Sequence, residues 1–170
     1  MLSSLQTNSL LMRILGIDPG TSIIGFGIID FDGENYSAID FGTITTSAKL
    51  NAAKKLQSII HDLKTLVQQN HPDCTSIEKL YFNKNVTTAI SVAESRGAII
   101  HFLATKNLPI SEFTPLQIKS AVSGYGRASK SQVQEMVKIL LNLKTIPKPD
   151  DAADALAIAI CHAHHNQHPN

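Results

Sequence analysis

A change in the spacing between apolar runs constrains this chain more than any other feature. Between Met12 and Thr45 three short apolar runs follow one another with only turn residues between them. The first (MRILGID) stops at Pro19-Gly20, the second spans Ile23–Asp30 and stops at Phe31-Asp32-Gly33, and the third spans Tyr36–Thr45. Short apolar runs ended by turn signals are strands, and Asp-Gly between two of them marks a hairpin. Beyond Ala48 the pattern changes. Short runs at Thr75–Leu80 and Pro109–Phe113 each follow a long stretch of helical spacing, Ala48–Gln69 and Asn85–Lys106. A strand, a helix and a strand in succession imply a parallel crossover. Three antiparallel strands leading into parallel crossovers predict an α/β fold with a mixed five-stranded sheet flanked by helices.

The remaining elements follow from local signals. Pro115 suits the first position of a short helix (LQIKSAV). Ser123–Ser129 is a glycine-bearing loop, and Ser131–Leu141 has helical spacing. Pro147 and Pro149 precede a last helix, Asp150–His162. With 170 residues, 43% of them hydrophobic, the expectation is one domain over residues 12–163. Residues 1–11 are expected to form a disordered extension and 164–170 a flexible tail, with His162, His164, His165 and His168 solvated. No apolar run approaches the roughly 18 residues of a membrane span. Cys74 and Cys161 have neither disulfide-framework nor metal spacing and read as reduced thiols, so a cytoplasmic protein is expected.

Charge is unevenly distributed. No Lys or Arg lies from Ile14 to Ala48, a stretch holding Asp18, Asp30, Asp32, Glu34 and Asp40. Lys106–Lys148 carries seven basic residues against Glu112 and Glu135. An acidic half beside a basic half suits a protein that holds cations next to phosphates; an ordinary solvated surface is equally compatible with these counts.

The acids themselves say more. Asp18 ends an apolar strand at a turn, where an ionised carboxylate is costly to desolvate unless a cation pairs with it. Asp151 and Asp154 share a face of the last helix. Acids at a helix start commonly serve its dipole, and that reading suits Asp150. Beyond Asp154, however, Leu156–Ile160 is apolar on every side, so the acidic turn begins a buried helix. Glu78 lies in a strand expected beside that of Asp18, the two carboxyl ends being neighbours. Its other reading is an edge-strand acid facing solvent. Four convergent carboxylates would repel one another. Hard divalent cations such as Mg²⁺ relieve that repulsion, and two of them about 4 Å apart can activate a water and stabilise a leaving oxygen in phosphodiester cleavage.

Four motifs together, GIDPGTS (16–22), IEKLYFNKN (77–85), KSQVQ (130–134) and DAADALAIAI (151–160), resemble those of the RuvC-type Holliday junction resolvases, in the same order and spacing. The resemblance covers Met12 to His162. It implies a ribonuclease H-like fold and an Mg²⁺-dependent endonuclease that cuts four-way junction DNA symmetrically as a homodimer, in recombination and repair. It implies Asp18, Glu78, Asp151 and Asp154 as ligands of two Mg²⁺ per subunit, with Mn²⁺ able to substitute. It places an aromatic wedge at Tyr81 and Phe82; Tyr81 stands where the family commonly has Phe. Lys119 and Lys130 match basic positions that support cleavage. A RuvA-RuvB branch-migration complex is implied as a partner. Lys79, Lys84 and Arg96 after the Glu strand, and Arg127 in the glycine loop, add positive charge suited to DNA backbone. The helix at Asn85–Lys106 suits either a dimer seam, through Ala93 and Gly97, or packing on its own sheet.

Three rival readings fit parts of the sequence. GIDPGTS is also similar to the phosphate hairpin of actin-like ATPases, but those need two related domains around a nucleotide, more than 170 residues provide. A non-catalytic junction-binding module would favour basic residues where this chain has four acids. A ribonuclease H-like nuclease acting on RNA is the nearest alternative.

Overall fold

A computed structural model of the protein describes residues 11–80 and 86–167. Its elements run β1 (Met12–Asp18), β2 (Ile23–Phe31), β3 (Tyr36–Thr45), α1 (Ala52–Asn70), β4 (Cys74–Glu78), α2 (Val86–Thr105), β5 (Ile110–Phe113), α3 (Pro115–Ser123), α4 (Lys130–Leu140) and α5 (Asp150–Gln167). The sheet order is β3-β2-β1-β4-β5. The first three strands pair antiparallel, and β4 and β5 join parallel on the other side of β1. This is the mixed sheet that the spacing predicted.

Side chains alternate between the two sheet faces. Leu15, Ile17, Ile24, Ile28 and Ile77 point to the face covered by α1 and α2, where Ile59, Leu63, Ile99 and Leu103 complete an aliphatic core. Ile14, Ile29, Phe31 and Cys74 point to the opposite face, which α5 covers directly while α3 and α4 pack on α5. There the contact is built from small residues. A Cβ on Gly16 would stand 2.1 Å from the Ala155 carbonyl oxygen, and one on Gly25 would stand 2.0 Å from that of Asp151. The buried alanines Ala155 and Ala159 lie against Gly16 and let the helix backbone approach the strand closely.

Two helix boundaries differ from expectation. α1 starts at Ala52 because the Asn51 side chain accepts from the Lys54 amide and caps it. α5 runs past residue 163 to Gln167. His162 is correspondingly buried, with Nε2 3.2 Å from the Cys74 Sγ and 3.0 Å from the Asn166 amide nitrogen. His165 stacks obliquely on Phe113. The solvated histidine tail is therefore corrected: the His162 ring belongs to the core, and its pKa is pushed down by burial and by His165. Residues 1–10 and His168 lie outside the described residues.

Candidate active site

The register of the central parallel pair brings two acids together. Gly16 pairs with Ser76 and Ile17 with Ile77, and one step further lie Asp18 and Glu78, the last residues of β1 and β4. Both have the parity of residues that face α5. Gly16 touches that helix, and the Ser76 hydroxyl donates to its Ile158 carbonyl at 3.2 Å. The two carboxylates thus leave the sheet on the α5 side at the carboxyl ends of adjacent parallel strands, where open α/β sheets bind ligands. Asp151 and Asp154 come from the first turns of α5. The close approach at Gly25 sets the Asp151 backbone against β2.

Electrostatics register this convergence. The Asp18 carboxyl is pushed up to about 8, first by burial and then by Asp154, Glu78 and Asp151, while Lys130 opposes the shift. Glu78 is also raised, by burial and by Asp154, against the pull of Lys119. Lys130 donates to Asp154 Oδ2 at 2.9 Å and lies 3.7 Å from Asp150, and its own pKa rises chiefly through the Asp154 hydrogen bond. Asp150 is held below the usual carboxylate range by its 2.8 Å bond to Lys148. It sits in the first turn of α5, as its reading from sequence had it. Glu78, Lys119, Lys130 and Asp154 line a cleft of about 250 Å³ whose walls are apolar at Ile118 and Val133. Ser129 and Gln132 form a capping box that starts α4 at Lys130 and so sets that side chain at the cleft mouth.

Among the described residues, no three Asp, Glu, His or Cys side chains stand grouped closely enough to hold a metal ion as they are placed. The donor chemistry nevertheless suits a hard dication. The oxygens are all carboxylate, and their mutual repulsion adds to burial in driving Asp18 upward.

The remaining residues singled out in the sequence fall into three groups. Lys119 and Lys130 join Glu78 and Asp154 in the cleft, which Asp18 and Asp151 do not line. Arg127 is exposed in the α3–α4 loop and does not line it. Tyr81, Phe82 and Lys84 lie outside the described residues. Arg96, read as a DNA-facing cation, is corrected: it is only 16% exposed and paired with Glu112 and the Glu78 carbonyl. Sequence reasoning missed the contact of Gly16, Gly25 and Gly27 with α5. Its signal was present, as glycines within apolar strands and alanines at helical spacing in DAADALAIAI.

Comparison with known proteins agrees with this arrangement. The family model described as crossover junction endodeoxyribonuclease RuvC matches residues 14–162. The protein of that name from Halothermothrix orenii is 54% identical over 151 residues, covering 89% of this chain and 92% of the relative. The one from Clostridioides difficile is 51% identical over 156 residues, covering 92% of each. The Thermus thermophilus RuvC structure in complex with a Holliday junction substrate superposes with a TM-score of 0.87 at 29% identity, covering 92% of this chain and 95% of that one. A yeast mitochondrial resolvase, Ydc2, shares the fold at a TM-score of 0.67 and 15% identity, covering 92% of this chain and 81% of its own. Nucleases of the matched family are metal-dependent. On the strength of the matched span and of relatives more than half identical, the chain belongs to the crossover junction endodeoxyribonuclease RuvC family.

Proposed function

We propose that this chain resolves four-way DNA junctions by paired, symmetric phosphodiester hydrolysis with Mg²⁺, as a homodimer in the cytoplasm. Family membership supports the reaction class, and the complex of the Thermus relative supports a Holliday junction as substrate. The observation that carries the metal reading is Asp18, a carboxyl pushed up to about 8 first by burial and then by three other acids, at the carboxyl end of the strand beside Glu78. Asp18, Glu78, Asp151 and Asp154 would hold two Mg²⁺ ions, or Mn²⁺ in their place. When bound, such a pair supplies charge neutralisation, activation of the attacking water and stabilisation of the leaving oxygen.

The chain's own groups do the rest. Asp18 and Glu78 stand on rigid strand ends, and Asp151 and Asp154 on a helix pressed against strand backbone, so the carboxylates keep their relative positions. Lys119 and Lys130 offer ammonium groups at the cleft to the phosphate and its neighbours. Arg127 meets DNA backbone further along the loop, and Lys84 does so beyond the Glu strand. Tyr81 and Phe82 present rings on which unstacked bases at the junction centre can rest. α2 supplies the dimer contact. One face packs on the sheet through Ile99 and Leu103, while Ile90 is exposed and a Cβ on Gly97 would meet nothing within 4 Å. A RuvA-RuvB branch-migration complex would deliver the junction.

A synthetic four-way junction with Mg²⁺, compared with duplex DNA and an RNA–DNA hybrid, tests the reading. Cleavage confined to the junction is expected, with two symmetric nicks. Asp18→Asn is expected to abolish cleavage and spare junction binding. Preferential cutting of the hybrid would favour an RNA nuclease, and full turnover by Asp18→Asn would remove the metal assignment.

A further inference from the structure

Arg96 carries an interaction that the proposed chemistry has not used. It sits on α2 between the buried Ser95 and the open Gly97, and its guanidinium is largely shielded from water. Nε donates to the backbone carbonyl of Glu78 at 3.1 Å, and Nη2 donates to the Glu112 carboxylate on β5. The planar fork of arginine meets two acceptors in one fixed geometry, which lysine cannot reproduce. A charged donor also makes a stronger hydrogen bond to a carbonyl than a neutral one does.

The position of this bond gives it meaning. Glu78 is the last residue of β4, and the ladder around it ends with Glu78 opposite Phe113 and the Lys79 amide donating to the Phe113 carbonyl at 2.8 Å. Among the described residues no further strand pairing follows that point. Arg96 grips the final carbonyl from the α2 side, while the Glu78 side chain leaves towards α5 and the other acids. Glu112 opposes Ile77 in the β4–β5 register, so the same guanidinium ties both strand ends to one helix.

We propose that Arg96 is a positioning residue for Glu78. Anchored on Glu112, its guanidinium fixes the peptide from which that carboxylate projects towards the cation site. The inference rests on Glu78 being a cation ligand, and Arg96 itself touches neither cation nor DNA. Groups that orient a ligand typically change metal affinity or activity by about 10–100-fold when removed.

Arg96→Met and Arg96→Lys, measured for Mn²⁺ affinity by electron paramagnetic resonance without DNA, for junction affinity and for turnover, test this. Arg96→Met is expected to weaken Mn²⁺ binding and lower kcat by about 10-fold or more, with junction affinity changed less than about 2-fold. Arg96→Lys should recover part of both. A loss confined to thermal stability would make Arg96 a plain structural clamp, and a loss confined to junction affinity would make it a DNA contact; either overturns the proposal. If Arg96→Met does not fold, Glu112→Ala decides, because Glu112 is 43% exposed and its removal frees the guanidinium. Mn²⁺ affinity and turnover unchanged in that variant would overturn the proposal too. Glu78→Gln is the reference. If it keeps normal cleavage, the cation reading of Glu78 fails, whatever the Arg96 variants do.

Discussion

The two faces of the sheet hold their helices by different means. Towards α1 and α2 the contact is a layer of Ile and Leu side chains, and the helices stand off by the thickness of that layer. Towards α5 the sheet glycines bring strand backbone against helix backbone, Gly16 at Ala155 and Ala159 and Gly25 at Asp151, with apolar side chains around them. An aliphatic layer can absorb small shifts by changing rotamers. A helix whose carbonyls approach strand Cα atoms this closely has no such freedom. The acids sit on the second kind of contact. Asp18 follows Gly16 by two residues, and the Asp151 and Ala155 carbonyls are the groups that a Cβ on Gly25 or Gly16 would strike.

The largest effect should therefore come from the smallest change on the α5 face. Gly16→Ala puts a methyl 2.1 Å from a backbone oxygen, which only movement of α5 can relieve. Overpacking against backbone should cost about 3 kcal/mol or more, and the displaced helix carries two of the four acids with it. Junction cleavage per folded molecule is expected to fall by more than about 100-fold, since misplacement of about 1 Å at a catalytic centre costs that much. On the opposite face Leu63 is 1% exposed, and Leu63→Ala should lower unfolding free energy by about 2–5 kcal/mol. Cleavage by its folded fraction should stay within about 2-fold of normal. Chemical denaturation together with single-turnover cleavage separates the two cases. Equal losses of cleavage in both variants would erase the distinction between the faces.

Much of this was legible in the residues, for identifiable reasons. Pro19-Gly20 and Asp32-Gly33 separate strands whose short spacing leaves only antiparallel pairing, and the long helical stretches before Thr75 and Pro109 demand crossovers. Asp154 stood out because an acid opening a helix apolar on all sides needs a partner. What escaped depends on partners distant in sequence. Nothing local to Arg96 says that its fork closes on Glu112 and the Glu78 carbonyl rather than facing DNA. Nothing local to His162 says that it enters the core beside Cys74, so a histidine-rich chain end looked solvated. The start of α1 depends on which polar residue caps it, and Asn51 rather than the region of Ala48 does so.

The subtlest separation of the two faces is by pH. In metal-free protein the folded Asp18 carboxyl holds its proton up to about 8, because burial and the neighbouring Asp154, Glu78 and Asp151 disfavour its charge. The unfolded chain releases that proton in the ordinary carboxylate range near 4. Between those values the folded state binds more protons than the unfolded one, so stability falls as pH rises through the window. Glu78, raised as well, adds to the same slope. With EDTA present, the wild-type Tm should drop from pH 5 to pH 8. Asp18→Asn should flatten that drop and exceed wild type by a few degrees at pH 8, while near pH 4 the two should nearly coincide. Mg²⁺ should reverse the order at pH 8, since a dication binds the deprotonated carboxylates of the native state and stabilises it by mass action. Leu63→Ala should instead lower Tm by a similar amount at every pH, because the layer it perturbs is aliphatic. A metal-free wild-type Tm that stays level from pH 5 to pH 8 would mean that the four acids do not crowd one another, and the α5 face would then differ from the other in packing alone.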